Sequence, residues 1–371
     1  MLMIRILFLS LMSCIYFSGV SQETANWTQF RGNRQLTGVS SSLVPSNMDI
    51  QWNFNTGDQV KASPVIYEDK IVIGSTNGTL YCLDINGELI WKRQTGNSIE
   101  APALILEGKV FIGNLEGILF CFNLSNGEKV WEYETDNQIM GAPNWYANGN
   151  ETYILVGSYD FYLHSVEARS GRGVWKYELD NYLNSTVSVD GNKGVFGGCD
   201  GFLHIVNPAN GKLTDKYEIA SYIAGSPALE DDIAYLGDYD GGVTAVDLQQ
   251  KRTLWKWNND QTNLPFIASP ALYRDRVYLT SRDKFVYCFN KKSGELIWKK
   301  NSGFRIDASP LVTKSGLLVA NMRGDLQLLN LYDGQLLWNY EIGSPVYSNP
   351  AVYKNQIILG AGDGMVYCIG K

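Results

Sequence analysis

Histidine, paired cysteine and helical periodicity are the three things this chain largely does without. Two of its 371 residues are His, His164 and His204. They fall in equivalent third-strand positions of a repeat, where a satisfied polar place in a sheet is expected rather than metal ligation. Six Cys are present, none adjacent to another and none in C-x-x-C spacing, which argues against a disulfide framework or a zinc site. Cys82, Cys121, Cys288 and Cys368 share one repeat slot and read as small core hydrophobes. A single inter-repeat bridge such as Cys82–Cys121 is conceivable, and Cys199 stands apart. A basic surplus is also missing. The formal net charge of −7 argues against nucleic acid, whose binding depends on cationic surface. Beyond the first 21 residues no apolar run is long enough to span a bilayer, and no long stretch shows a 3.6-residue apolar period, so helix is expected to be nearly absent.

What fills the chain instead is a phrase that returns about every forty residues. Ala62-Ser63-Pro64, Glu100-Ala101-Pro102, Gly141-Ala142-Pro143, Gly225-Ser226-Pro227, Ala268-Ser269-Pro270, Ala308-Ser309-Pro310 and Ser348-Asn349-Pro350 all fit, with Asn184-Ser185-Thr186 in the one gap. A second phrase, Gly-x-x-x-Trp, keeps step at Gly87/Trp91, Gly127/Trp131, Gly171/Trp175, Gly294/Trp298 and Gly334/Trp338. Self-similarity at this period marks a solenoid, propeller or array. Within one repeat, Asn-Gly and Asp-Gly turns separate β-rich runs, the strongest short-range hairpin signal because a type I′ turn needs positive φ at both central residues. Four antiparallel strands per repeat make a propeller blade. The expected fold is therefore all-β, an eight-bladed propeller. The last repeat ends after its third strand, while a lone Trp strand (Ile50-Gln51-Trp52-Asn53-Phe54) precedes the first. The N-terminal strand is thus expected to complete blade 8 and close the ring, which removes its open sheet edges.

The chain divides into a predicted signal peptide over 1–21, a lead-in over 22–49 packing on the ring, and the propeller over 50–371. Arg5, the apolar run Ile6 to Met12 and the small residues Gly19-Val20-Ser21 carry the first assignment. A competing reading takes Leu11-Met12-Ser13-Cys14 as a lipobox with Cys14 lipidated, which would anchor the protein to the outer membrane. Either reading predicts export, to the periplasm or beyond.

The blade phrase resembles the repeat of the pyrroloquinoline-quinone (PQQ) propeller family. It stands here as Ala62-Ser63-Pro64, Ile73-Gly74-Ser75, Asn77-Gly78-Thr79-Leu80-Tyr81-Cys82-Leu83-Asp84 and Asn86-Gly87-Glu88-Leu89-Ile90-Trp91. The segment Trp27-Thr28-Gln29-Phe30-Arg31-Gly32 looks like the lead-in of exported bacterial members and is expected to lie across one face of the ring. The resemblance implies a girdle in which each outer-strand Trp docks on the next blade: Trp52, Trp91, Trp131, Trp175, Trp255, Trp298 and Trp338. Blade 4 departs with Asp215 in the Trp place, and blade 5 has Lys251 in place of the turn Gly. That seam is expected to be the weakest.

Within this family the quinoprotein dehydrogenases hold PQQ and Ca²⁺ on the axis against an adjacent Cys-Cys disulfide. This chain has no such pair, and no catalytic, cofactor or metal residue is assigned. The place before each phrase is expected at the axial mouth; around the ring it reads Lys61, Glu100, Met140, Asn184, Ala224, Ile267, Asp307 and Tyr347. Glu100 or Asp307 would be the carboxylates available for general-base work, with Lys61 expected to pair with Glu100. Arg305, Arg323 and Arg282 are placed to meet an anionic ligand. The aromatics Tyr182, Tyr222, Phe266, Phe304 and Tyr347 are expected to be exposed beside Arg305 as binding hot spots. Two further readings stay open: a PQQ-dependent dehydrogenase, and a glycan-binding propeller. The expected role is a non-catalytic protein-binding scaffold of the cell envelope, similar to the BamB-like outer-membrane assembly subunit, with no cofactor.

Overall fold

The computed structural model describes residues 26–44 and 49–371. The expected signal peptide, Cys14 and the first residues of the lead-in lie outside the described residues. Eight four-stranded antiparallel sheets follow one another round a closed ring, with no helix among the described residues. Blades 1 to 7 span 65–94, 104–134, 144–178, 188–218, 228–258, 271–301 and 311–341, and blade 8 combines 351–370 with Asp49–Asn55. In blade 8, Asp49–Asn55 pairs antiparallel with Met365–Gly370, so the two ends of the chain share one sheet. Closure through the N-terminal strand is therefore as the half-repeat at each end requires.

Within each blade the burial pattern follows the strand order. The two middle strands are buried almost throughout, as in Ile71 to Gly74 and Thr79 to Leu83. Outer strands alternate, as in Leu89–Gln94, where Trp91 is buried and its flanking residues are exposed. Two-sided burial suits the Val, Ile, Leu and Phe of the middle strands. One-sided burial leaves the outer strands to Lys, Glu and Tyr.

Tryptophan fixes six of the eight seams by two contacts. Its indole N–H donates to a backbone carbonyl of the next blade: Trp52 to Ile85, Trp91 to Leu124, Trp131 to Ala168, Trp175 to Pro208, Trp255 to Lys291 and Trp298 to Leu331, at 2.7–3.3 Å. Its ring meanwhile lies on the next blade's turn glycine. A Cβ at Gly127 would sit 2.7 Å from the Trp91 ring, and Gly127 has φ +69. Both conditions require glycine there, which explains why the Gly and the Trp travel together in the sequence. Blade 8 has no turn after its third strand, and the Trp338 indole N–H has no such acceptor among the described residues.

The two departures from this pattern turn out to be one. Asp215 on blade 4 and Lys251 on blade 5 face each other across a single seam, Nζ to Oδ2 3.1 Å. An ion pair stands where six of the other seams stack an indole on a glycine. Burial pushes the Asp215 carboxyl up, but the hydrogen bond from Lys251 and the Lys216 amide outweigh it and hold it below the usual carboxylate range.

A second linkage runs round the axis. The backbone N–H of one blade donates to the side-chain oxygen at the same position in the next: Ala142 to Thr186, Thr186 to Ser226, Ser226 to Ser269, Ser269 to Ser309, Ser309 to Asn349 and Asn349 to Ser63, at 2.5–3.0 Å. The serine of the recurrent phrase is therefore an inter-blade bolt. Strand register settles two alignments that the sequence leaves ambiguous. Ser188 pairs with Val195 as Val65 pairs with Val72, so Ser185-Thr186-Val187 is blade 4's phrase. Leu104 pairs with Phe111, which puts Pro102 in the serine place of blade 2. Proline offers neither hydroxyl nor N–H, and the chain of bolts stops there.

The four equivalent cysteines are buried and free, so the Cys82–Cys121 bridge does not form. Burial pushes the Cys82 and Cys121 thiols up to about 12, as befits inert core residues.

Trp91→Ala should cost about 3–5 kcal/mol, the usual loss for a buried Trp. Asp215→Ala, at a partly exposed ion pair, should cost under about 1 kcal/mol. Urea unfolding of the two variants measures both; equal losses would show that the Asp215–Lys251 seam bears as much as the tryptophan seams.

Candidate functional site

The axis of the ring is closed at one end by the lead-in. Residues 26–43 run once round the inside of the ring and touch the blades in order. Backbone N–H groups at the middle of six innermost strands donate to lead-in carbonyls: Ile66 to Trp27, Ile105 to Thr28, Val189 to Arg34, Leu229 to Gln35, Leu272 to Thr37 and Val312 to Gly38, at 2.7–2.9 Å. Blade 3 joins through side chains. The Asn144 amide donates to the Arg34 carbonyl at 2.9 Å, and the Trp145 indole donates to Gln29 at 3.1 Å. Blade 8 is reached by the Ser40 hydroxyl, which donates to the Val352 carbonyl at 3.4 Å, and by the Leu43 N–H on Asn355.

Arg31 lies inside this loop, 2 % exposed. One Nη donates to the Pro270 carbonyl at 2.9 Å, while Nε has no partner among the described residues. Burial pushes this guanidinium down to about 9. Gly38 makes room for it: a Cβ there would fall 1.9 Å from the guanidinium.

At the other end, where the chain enters each innermost strand, a cavity of about 130 Å³ remains on the axis. Phe30 of the lead-in is among its lining, and the bolt residues Thr186, Ser226, Ser269, Ser309 and Asn349 form its wall. Of the residues singled out from the sequence, Met140, Asn184 and Asp307 line this cavity, together with Ala224 and Ile267. Asn184 Oδ1 is buried without a partner among the described residues. Lys61, Glu100, Arg305 and Tyr347 are not part of the lining. Lys61 and Glu100 form an ion pair at 2.7 Å, at the seam between blades 1 and 2 where the bolts are interrupted. Asp307 is held by Arg282 through two bonds, 2.9 and 3.0 Å. Neither carboxylate is a free base.

The three arginines separate. Arg282 is committed to Asp307 and Arg323 to Asp325 (2.8 Å). Arg305 is exposed and its side chain has no partner among the described residues.

Solvent-exposed aromatics crowd the entry face around the cavity. Tyr182 packs with tilted rings against Tyr159 and Phe161, centroids 4.7 and 5.1 Å away, and Tyr222 meets Tyr239 at 6.4 Å. Tyr182, Tyr222 and Phe304 are 41, 54 and 42 % exposed. Tyr347 is half-buried. Phe266 departs from expectation: it is fully buried and packs edge-on to Trp257 and Tyr287 in the core between blades 5 and 6. Its neighbour Pro265 sits at the same loop, so an aromatic in a connecting loop signalled exposure from sequence although its ring turns inward. Phe161, Tyr159 and Tyr239 were missed because they occupy hairpin turns, read only for backbone geometry.

Both histidines are internal. His164 is held between the Tyr133 hydroxyl (3.0 Å) and Asp160 (2.9 Å), and His204 between the Tyr177 hydroxyl (3.0 Å) and Asp200 (2.8 Å). Each fixes an outer-strand Tyr of one blade to the next blade's turn. No group of three or more His, Cys, Asp or Glu is placed to hold a metal among the described residues.

Burial raises the Asp160 and Asp200 carboxyls, but hydrogen bonds and charge from His164 and His204, with backbone amides, outweigh it and hold both below the usual range. A carboxyl lowered on folding stabilises the fold above its unfolded value, about 3.9, and that contribution fades as pH falls through the folded value. The urea midpoint should therefore drop as pH is lowered below about 4, and Asp160→Asn/Asp200→Asn should flatten that decline. An unchanged slope in the double variant would refute the assignment.

A family model described as outer membrane protein assembly factor BamB matches residues 41–158, 159–284 and 282–369. No curated protein matches the sequence. Among solved structures, BamB from Moraxella catarrhalis is similar with a TM-score of 0.74 at 19% identity, covering 88% of this chain and 98% of that one. A europium-containing methanol dehydrogenase is similar with a TM-score of 0.80 at 12% identity, covering 94% of this chain and 99% of that one. The quinohemoprotein alcohol dehydrogenase from Comamonas testosteroni gives 0.78 at 12%, covering 94% and 81%. At these identities the structural likenesses establish the fold alone, and they include both a BamB and dehydrogenases.

Proposed function

The chain belongs to the family described as outer membrane protein assembly factor BamB, and on that premise we propose that it is an exported, non-catalytic propeller that binds a protein partner in the bacterial cell envelope. The observation that carries this reading is the aromatic entry face. Tyr182, Phe161, Tyr222, Tyr239 and Phe304 offer large, rigid side chains to solvent on one side of the ring. Such residues dominate binding energy when a partner covers them. Arg305, adjacent to Phe304 and unpaired, adds the side chain most often found beside them in hot spots.

The axial cavity supports the same reading from the other direction. Pockets for drug-sized ligands run from about 300 Å³ upward, against about 130 Å³ here. Its wall residues are already committed to the seams, and its carboxylate is bonded to Arg282. A flat tricyclic quinone with a calcium ion does not fit this set: there is no adjacent cysteine pair to stack on it and no free carboxylate cluster to hold the metal. The dehydrogenase reading and the glycan reading both need an open mouth or a free polar cluster there.

A photo-crosslinking residue at position 222 should capture an envelope assembly protein in cells, identified by mass spectrometry, and Tyr182→Ser should weaken that capture at least tenfold without moving the melting temperature. Titration of the purified protein with PQQ and Ca²⁺ should give no absorbance change and no thermal shift. Stoichiometric uptake of the quinone would overturn the non-catalytic reading.

A further inference from the structure

We propose that the closed end of the axis is a peptide-binding channel, filled in cis by residues 26–44 and specific for a segment of that sequence, which coils through turns at 29–35 as it passes from blade to blade. The closed ring leaves an unmet need at its axis. The innermost strand of a blade pairs on one side only, and its other edge faces the axis. Six of those edges present an amide that a lead-in carbonyl accepts, one after another round the ring. An edge amide that finds no partner in so narrow a space is costly, and the carbonyls of one segment coiled round the axis meet the edges in turn, by isolated bonds.

The channel also reads side chains, which a mere backbone filler would not need. The Trp27 N–H donates to the Ile66 carbonyl while the Ile66 N–H donates to the Trp27 carbonyl, a two-way bridge that sets the register at the start. Gln29 binds both Asn144 and Trp145, the Arg34 guanidinium lies 4.4 Å over the Trp145 ring, and Gln35 donates to Asp190 at 3.1 Å. Arg31 reaches the Pro270 carbonyl and is accommodated only because residue 38 is glycine. The side-chain contacts come from three different blades, 3, 4 and 6, and recognise four side chains of the segment. The segment is bound as a ligand is bound, by sequence as well as by shape.

The distinction from an ordinary part of the fold is separability. The blades hold one another through the tryptophan stacks, the bolts and the shared sheet of blade 8, none of which involves residues 26–44. A full-length variant carrying a Gly/Ser insertion of about twenty residues with a protease site between Val44 and Asp49 tests this, such linkers behaving as flexible coil. After cleavage the N-terminal fragment should co-elute with the ring under native conditions. A fluorescent synthetic peptide of residues 26–44 should then exchange into the cleaved protein, while a Gly38→Val peptide competes at least tenfold more weakly and a scrambled one does not compete. Release of the fragment on cleavage, whether the ring then stays folded or collapses, overturns the proposal. So does equal competition by the scrambled peptide.

Discussion

An inner strand edge that faces a narrow axis is the constraint round which this molecule is arranged. Closing the blades into a ring removes the outermost danger, an exposed edge at the end of the array, but it points eight other edges at one another across a space too wide for direct pairing. The lead-in answers them in a single turn, blade by blade. Everything at the axis follows from that. One end is filled, Phe30 is carried toward the other end, and what remains is a shallow cavity rather than a passage.

The seams between blades show how one requirement can be met by different chemistry. Most use a tryptophan lying on a glycine with its N–H on a carbonyl. At blades 4 and 5 the same gap is spanned by Asp215 and Lys251. Losing the indole removes the steric reason for glycine, and a residue at φ +57 is then tolerated at 251. Near the axis the substitution runs the other way: where Pro102 ends the line of hydroxyl bolts, Lys61 and Glu100 pair across the seam.

Ring, blade count and closure were legible in the sequence because they rest on local signals: turn glycines, strand-length runs, and a half-repeat at each end. The Lys61–Glu100 pair was legible for the same reason, since both occupy one repeat slot on neighbouring blades. What escaped is what depends on register between blades. The phrase serine reads as part of a strand start, and only its reach to the previous blade's N–H reveals its role. Phe266 is different: it fills the repeat slot held elsewhere by Val60, Ile99, Ile139, Leu183, Ile223, Ile306 and Val346, all buried, so the alignment of repeats and not its place in a loop tells which way it turns. Asp215 and Lys251 read as two independent lapses until the strands are set side by side. The course of residues 26–43 round the axis is the extreme case, a path set by eight partners that are each distant in sequence.

The bolts all point the same way, from the N–H of one blade to the side chain of the next, and the sequence of bonds has a first member and a last. Six of the eight seams near the axis are therefore held by short, shielded hydrogen bonds, and of the two that Pro102 leaves without one, the seam between blades 1 and 2 relies there on charges partly open to water. Dissolved salt weakens the second kind and scarcely touches the first. A circle built of repeated parts thus has joints that the ionic medium can address, Lys61–Glu100 near the axis and Asp215–Lys251 at the outer edge, and raising salt concentration is a way to loosen these while leaving the hydroxyl and indole contacts of other seams tight.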